Sequence, residues 1–224
     1  MPKLRMKITK GESIRYISHL DYLKTFERIL KRSNLPIKYS QGFNPHMKFS
    51  FSSALAVGVV SLEDYVDIEL LEHKSISEIK RCFADALCDG IEIVEAFYVD
   101  EKIPSLMSTI SQASYRVTNW IVKEDFEKSY DVINKFNKAK SIVFTRKHEK
   151  KRAKDIDLKE FLNGDIEYKL EDDNLLLFFN IKITPTGSIK PTDVLNVLVD
   201  IFELPIEKEA AIIDRVGICI NKKE

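Results

Sequence analysis

Cysteine is scarce in this chain of 224 residues: there are three, Cys82, Cys88 and Cys219. An odd and sparse set cannot form a disulfide framework and suits a reducing cytosol. Cys82 and Cys88 fall on different sides of one predicted helix, and neither they nor the four histidines show a zinc or iron–sulfur spacing, so buried structural thiols are the default. Long apolar runs are also missing. Leu175-Leu-Leu-Phe-Phe179 is far shorter than the roughly 20 residues that span a bilayer, and the basic start Met1-Pro-Lys-Leu-Arg5 has no apolar signal core behind it. A soluble cytoplasmic protein without a membrane partner is expected. There is no Walker loop, no Gly-x-Gly-x-x-Gly, no Gly-x-Ser-x-Gly and no His-Glu-x-x-His. Hence no catalytic residue, cofactor or metal is assigned from motifs.

Net charge is absent too, with 35 Lys/Arg against 35 Asp/Glu, but the balance conceals a polarised distribution. Residues 1–50 carry 11 Lys/Arg and 3 Asp/Glu, whereas residues 51–101 carry 3 and 12. A second basic run, residues 138–154, has 8 Lys/Arg and only Glu149. Such asymmetry points to a polyanionic partner, although charges distant in sequence also neutralise each other in space.

Periodicity gives the architecture. Leu4, Met6 and Ile8 alternate with polar residues as in a strand, and Gly11 leads to a second extended run, Ser13–Ile17. Ser18-His-Leu-Asp21 reads as a helix start, and the helix runs to about Ser33 with Leu20, Leu23, Ile29 and Leu30 inward. Lys24, Arg28, Lys31 and Arg32 share one face of it, where a solvated surface is the simpler reading. Phe49 and Phe51 mark a strand. Tyr65–Leu70 marks another, whose Asp67 and Glu69 belong to a solvated face. Ser75-Ile-Ser-Glu78 is a capping-box pattern opening a second helix, and Ile91–Tyr98 is a final strand. This is a βαββαβ order. Residues 102–113 have no firm period and read as a connector.

The plan then repeats. Tyr115–Ile121 is a strand, and Asp125–Asn137 a helix with Phe126, Tyr130, Ile133 and Phe136 inward. Ile142–Thr145 is a strand leading into the basic run, and Ile166–Leu170 and Leu175–Ile183 form a hairpin. Pro191 opens a helix and Ile212–Ile220 closes the sheet. The expected fold is α+β: two tandem ferredoxin-like domains with antiparallel sheets, over 1–101 and 114–224.

The candidate site centres on Tyr39-Ser-Gln-Gly-Phe-Asn-Pro-His-Met-Lys48. Gly42 tolerates positive φ and Pro45 restricts Asn44, so the stretch reads as a shaped loop whose tip leans on the first helix near Ser18–Asp21. Arg15, His19, Gln41, Asn44, His46 and Lys48 are expected to meet there, with Lys24 and Arg28 beside them. Arg146, Lys147, Lys150, Lys151 and Arg152 form a second basic segment that would order against phosphates. His19 or His46 near Lys48 and Tyr39 suits a metal-independent ribonuclease, with a general base for a ribose 2′-hydroxyl and a cation for the phosphate. Ligand contact without chemistry is simpler. A small-molecule pocket under Gln41–His46 is a further alternative.

Arg15-Tyr-Ile-Ser-His-Leu-Asp21, Tyr39-Ser-Gln-Gly-Phe-Asn-Pro45, Lys48-Phe-Ser-Phe51, Leu55-Ala-Val-Gly58 and Glu63-Asp-Tyr-Val-Asp-Ile-Glu-Leu70 resemble the bacterial radical SAM-linked protein family. The match over residues 1–100 is dense; beyond it rests on the basic run, the Pro185–Pro191 turn and Asp214-Arg-Val-Gly217. The resemblance implies a domain of unknown function, found alone or fused behind a cobalamin-binding radical SAM domain. It also implies partnership with a radical SAM enzyme and work on tRNA or ribosomal RNA. This chain lacks Cys-x-x-x-Cys-x-x-Cys, so it is read as a non-catalytic accessory that binds RNA or presents an RNA-related substrate, or as a protein–protein adaptor without RNA contact.

Overall fold

Alternation along the first strand sets the layout of the N-terminal half. In the computed structural model, which describes residues 2–148, 151–185 and 187–221, Lys3–Lys10 forms strand β1 and its Leu4, Met6 and Ile8 are wholly buried. Helix α1 covers His19–Arg32, with the Ser18 hydroxyl accepting from the Asp21 N–H at 3.2 Å. Its buried residues are Tyr22, Phe26, Ile29 and Leu30, whereas Leu20, expected inward, is 68% exposed. Between β1 and α1 the chain makes a single tight turn, Glu12–Ile14, instead of the expected extended run.

Strands β2 (Phe49–Phe51) and β3 (Val59–Glu69), helix α2 (Ile76–Ala84) and strand β4 (Ile93–Val99) follow. The capping box of α2 forms: the Ser75 N–H donates to Glu78 Oε2 at 2.9 Å and the Glu78 N–H to Ser75 Oγ at 3.3 Å. β4 pairs with β1, β1 with β3 and β3 with β2, all antiparallel. One face of this sheet carries Leu4, Met6, Ile8, Val66, Ile68 and Phe51, and together with α1 and α2 it forms the core. Burial of such side chains contributes about 1.5–3 kcal/mol each. Phe51 touches Tyr22 and Phe26 with ring centroids at 4.9 and 5.1 Å, which joins β2 to α1. The segment expected as a connector contains a one-turn helix, α3 (Leu106–Thr109), with Leu106 fully buried.

The chain divides into two compact units, Met1–Ile110 with Ile220–Glu224, and Ser111–Cys219. In the second, strand β5 (Ile110–Trp120), helix α4 (Phe126–Lys138), hairpin β6–β7 (Val143–His148 and Lys151–Asp157) and helix α5 (Leu158–Phe161) come first. Strands β8 (Glu167–Glu171) and β9 (Asn174–Lys182), helix α6 (Pro191–Asp200) and strand β10 (Ile212–Ile220) complete it. The strand order is β10-β5-β9-β8, with β5–β9 and β8–β9 antiparallel. Among the described residues the expected sheet strand at Ile142–Thr145 pairs with β7 alone and stands in a separate two-stranded hairpin. On α4 the buried positions are Ser129, Val132, Ile133 and Phe136; Phe126 and Tyr130 are only half-buried. The fold is mixed α+β with mainly antiparallel sheets. Among the described residues no helix is long and apolar enough to cross a membrane.

Candidate functional site

The hairpin that carries the predicted loop is sewn shut at its base. The Lys48 N–H donates to the Lys38 carbonyl at 2.8 Å, the Ser40 N–H to the His46 carbonyl at 2.8 Å, and the His46 N–H to Ser40 Oγ at 2.9 Å. The Lys38 N–H and Glu69 carbonyl (2.9 Å) and the Glu69 N–H and Lys48 carbonyl (3.0 Å) tie both arms to β3. Beyond this base, Gln41, Asn44 and His46 are all exposed. Gly42 has φ +127°, a left-handed value that favours glycine, and its missing Cβ would meet no atom within 4 Å. Phe43 is exposed at 107% of its reference area, so the tip does not lean on α1 through that ring. Below the tip, the ammonium groups of Lys38 and Lys48 lie 3.0 and 3.6 Å from Glu69. Burial disfavours the Glu69 charge, but the hydrogen bonds and charges of the two lysines outweigh it and hold the carboxyl below its ordinary value.

Along α1 the four predicted cations differ. Lys31 pairs with Glu27 at 2.8 Å and Arg32 donates to the Ala86 carbonyl at 2.6 Å. Lys24 and Arg28 are exposed, and no ion pair holds either among the described residues. The Lys31 ammonium is held above its ordinary value first by Glu27. At the base of the hairpin Phe49 meets Phe26 of α1 with ring centroids at 5.8 Å, so the hairpin's base and the helix adjoin.

Arg15, expected on the exposed edge, is buried, with 9% of its reference area exposed. Its guanidinium donates to the Gly58 carbonyl at 3.1 and 2.8 Å and to Glu12 at 2.8 Å, so it clamps the loop that enters β3. The buried Lys10 ammonium supports the same turn by donating to the Arg15 and Ile17 carbonyls at 3.2 and 3.4 Å. His19 is half-buried with its ring edge-on to Phe51 at 6.4 Å. Cys82 and Cys88 are partly buried against the core and Cys219 is exposed, so the cysteines are not the buried set expected. Among the described residues no group of three or more His, Cys, Asp or Glu converges to hold a metal ion.

Alternation placed Asp67 on a solvated strand face, but the register sets it opposite Arg5, and the two form a bidentate pair at 2.7 and 2.9 Å with exposures of 7% and 3%. This polar sheet face is closed in part by α3. What remains is a cavity of about 300 Å³ lined by Lys3, Lys48, Ser50, Asp67, Glu69 and Leu106. Nearby, burial and then the Glu63 carboxylate push the Tyr65 phenol up to about 12.

In the second unit Arg146 is held by Asp193 and by the Ser188 carbonyl at 3.4 and 3.5 Å. The side chains of Lys147, Lys151 and Arg152, and all of Lys150, lie outside the described residues. A groove of about 470 Å³ between the end of β5 and residues 204–210 exposes Trp120, a residue that belongs to none of the sequence motifs.

No curated protein matches this sequence. Among solved structures the chain is similar to one in "Crystal Structure of a Cbf5-Nop10-Gar1 Complex", at 11% identity and a TM-score of 0.48, over 97% of this chain and 48% of that one. It thus spans about half the length of that chain. The acetolactate synthase small subunit from Thermotoga maritima matches at 9% identity and a TM-score of 0.25, over 98% of this chain and 95% of that one. Likenesses this distant carry no argument about function. A family model described as "Uncharacterized protein conserved in bacteria (DUF2344)" matches residues 3–191, most of the chain, and the protein belongs to that family.

Proposed function

We propose that this protein is a non-catalytic module that binds RNA for a radical SAM enzyme, built on two units of ferredoxin-like plan. The observation that carries the RNA reading is the pair of exposed α1 cations, Lys24 and Arg28, which no ion pair holds among the described residues, together with a hairpin whose tip exposes polar side chains and carries no acid. Residues 28–62 contain five Lys/Arg and no Asp/Glu. Lys24 and Arg28 stand exposed on the helix, and Gln41, Asn44 and His46 stand exposed on the hairpin. Cations without carboxylate partners gain most from phosphate, because binding releases the counterions condensed on the nucleic acid. Amides and imidazole add donors and acceptors suited to unpaired base edges. The enzyme partner rests on the resemblance of the Arg15–Asp21 and Tyr39–Pro45 motifs.

Fluorescence anisotropy with labelled tRNA and ribosomal RNA fragments tests this reading. Binding at or below about 10 μM in low salt, weakening steeply as salt rises, is expected. No binding under those conditions overturns the RNA reading, and capture of a radical SAM protein alone would then make the chain a protein adaptor.

A further inference from the structure

Phe43 is the most exposed apolar side chain described, at 107% of its reference area, and it contributes no burial to the fold. Its backbone is nevertheless confined. The Ser40–His46 bonds close the loop on both sides of the tip, the Lys38–Lys48 bond closes it again below, and Met47 packs against the core. Pro45 restricts Asn44, and Gly42 turns the chain outward with open space around it. An aromatic ring has thus been placed at the end of a braced arm, pointing at solvent. Tyr39, 43% exposed, flanks the base of the arm, and the surrounding sequence from Arg28 to Leu62 lacks any acid.

We infer that Phe43 stacks on an unpaired base of the bound RNA, so that single-stranded segments and not continuous duplex are the preferred ligand; this rests on the RNA reading above. A duplex hides its base faces, whereas a splayed base offers a π-face to any ring that reaches it. The tip itself, residues 39–48, carries no acid that would repel the phosphates on either side of such a base. Gln41, Asn44 and His46, exposed on the same hairpin, supply donors and acceptors of the kind a base edge pairs with. An apolar pocket on a protein partner is the competing occupant, and the exposed α1 cations Lys24 and Arg28, which no ion pair holds among the described residues, favour RNA over it.

The full chain is titrated with a short oligoadenylate and with an RNA duplex of equal length. Wild type is expected to bind the single strand more tightly. Phe43→Ala should weaken the single strand about five- to 150-fold, the span that alanine substitution of a stacking ring produces, and leave the duplex nearly unchanged. Phe43→Trp should restore affinity, with quenching of its fluorescence by oligoadenylate. Lys24→Gln with Arg28→Gln should weaken both RNAs alike. If wild type binds RNA and Phe43→Ala matches it on the single strand, the stacking role is overturned while the RNA reading stands. If wild type binds neither RNA, both fall. Loss of a protein partner's binding in Phe43→Ala, with RNA affinity intact, would assign the ring to protein docking and overturn the inference.

Discussion

Replacing Arg5 by methionine strands the Asp67 carboxylate in a site where it is only 7% exposed. The native pair makes two bonds, at 2.7 and 2.9 Å, across the β1–β3 register, and both partners are almost fully removed from water. Breaking such a pair from one side typically costs about 3–5 kcal/mol, since the remaining charge keeps its desolvation penalty and loses its compensation. That is a large share of the roughly 5–15 kcal/mol by which proteins are stable. Replacing both partners, Arg5→Met with Asp67→Leu, removes the penalty with the attraction and should return stability to within about 1–2 kcal/mol of wild type. Urea unfolding followed by far-UV circular dichroism reads both, with a changed midpoint at constant slope. RNA affinity of the double variant should stay at the wild-type level, because this face lies under α3 and outside the proposed interface. A cost below about 1 kcal/mol for Arg5→Met would refute the reasoning, as would a double variant as unstable as the sum of the singles.

Leu106→Ala should cost about 2–5 kcal/mol, as for a fully buried leucine, although it sits in a one-turn helix of a stretch without sequence periodicity; thermal unfolding measures this. Tyr65 should ionise near pH 12, two units above an ordinary phenol, because burial and Glu63 oppose its charge. A raised folded value means that its contribution is complete below about pH 10 and is lost between about pH 10 and 12. The ultraviolet difference titration between wild type and Tyr65→Phe shows it, and a difference centred at 10 would contradict it.

Local signals were legible and tertiary choices were not. The caps of α1 and α2 involve residues three apart, Ser18 with Asp21 and Ser75 with Glu78, so both helix starts follow from the sequence. The face that α1 buries does not. Leu20 and Leu23 suggest one phase, but Phe49 and Phe51 arrive from another strand and select Tyr22 and Phe26. Asp67 alternates like a surface residue, and only the register with Arg5 and the nearby α3 removes it from water. Arg15 is likewise a site residue by composition and a clamp by geometry, because its partners, the Gly58 carbonyl and Glu12, depend on how two loops meet. The Gln41–His46 donors and the turn at Gly42 were readable since Gly and Pro constrain the backbone locally. The isolation of Phe43 at its tip required the fold.

Lys24 and Arg28 are the cations assigned to phosphate, and the RNA reading stands or falls with them. The dependence of affinity on salt for single-stranded RNA, compared between wild type and Lys24→Gln with Arg28→Gln, tests this most directly. Each phosphate contact contributes about 0.7 to the slope of log affinity against log salt for single strands. Losing two contacts should therefore make the slope shallower by about 1.4. An unchanged slope in the double variant would contradict the assignment.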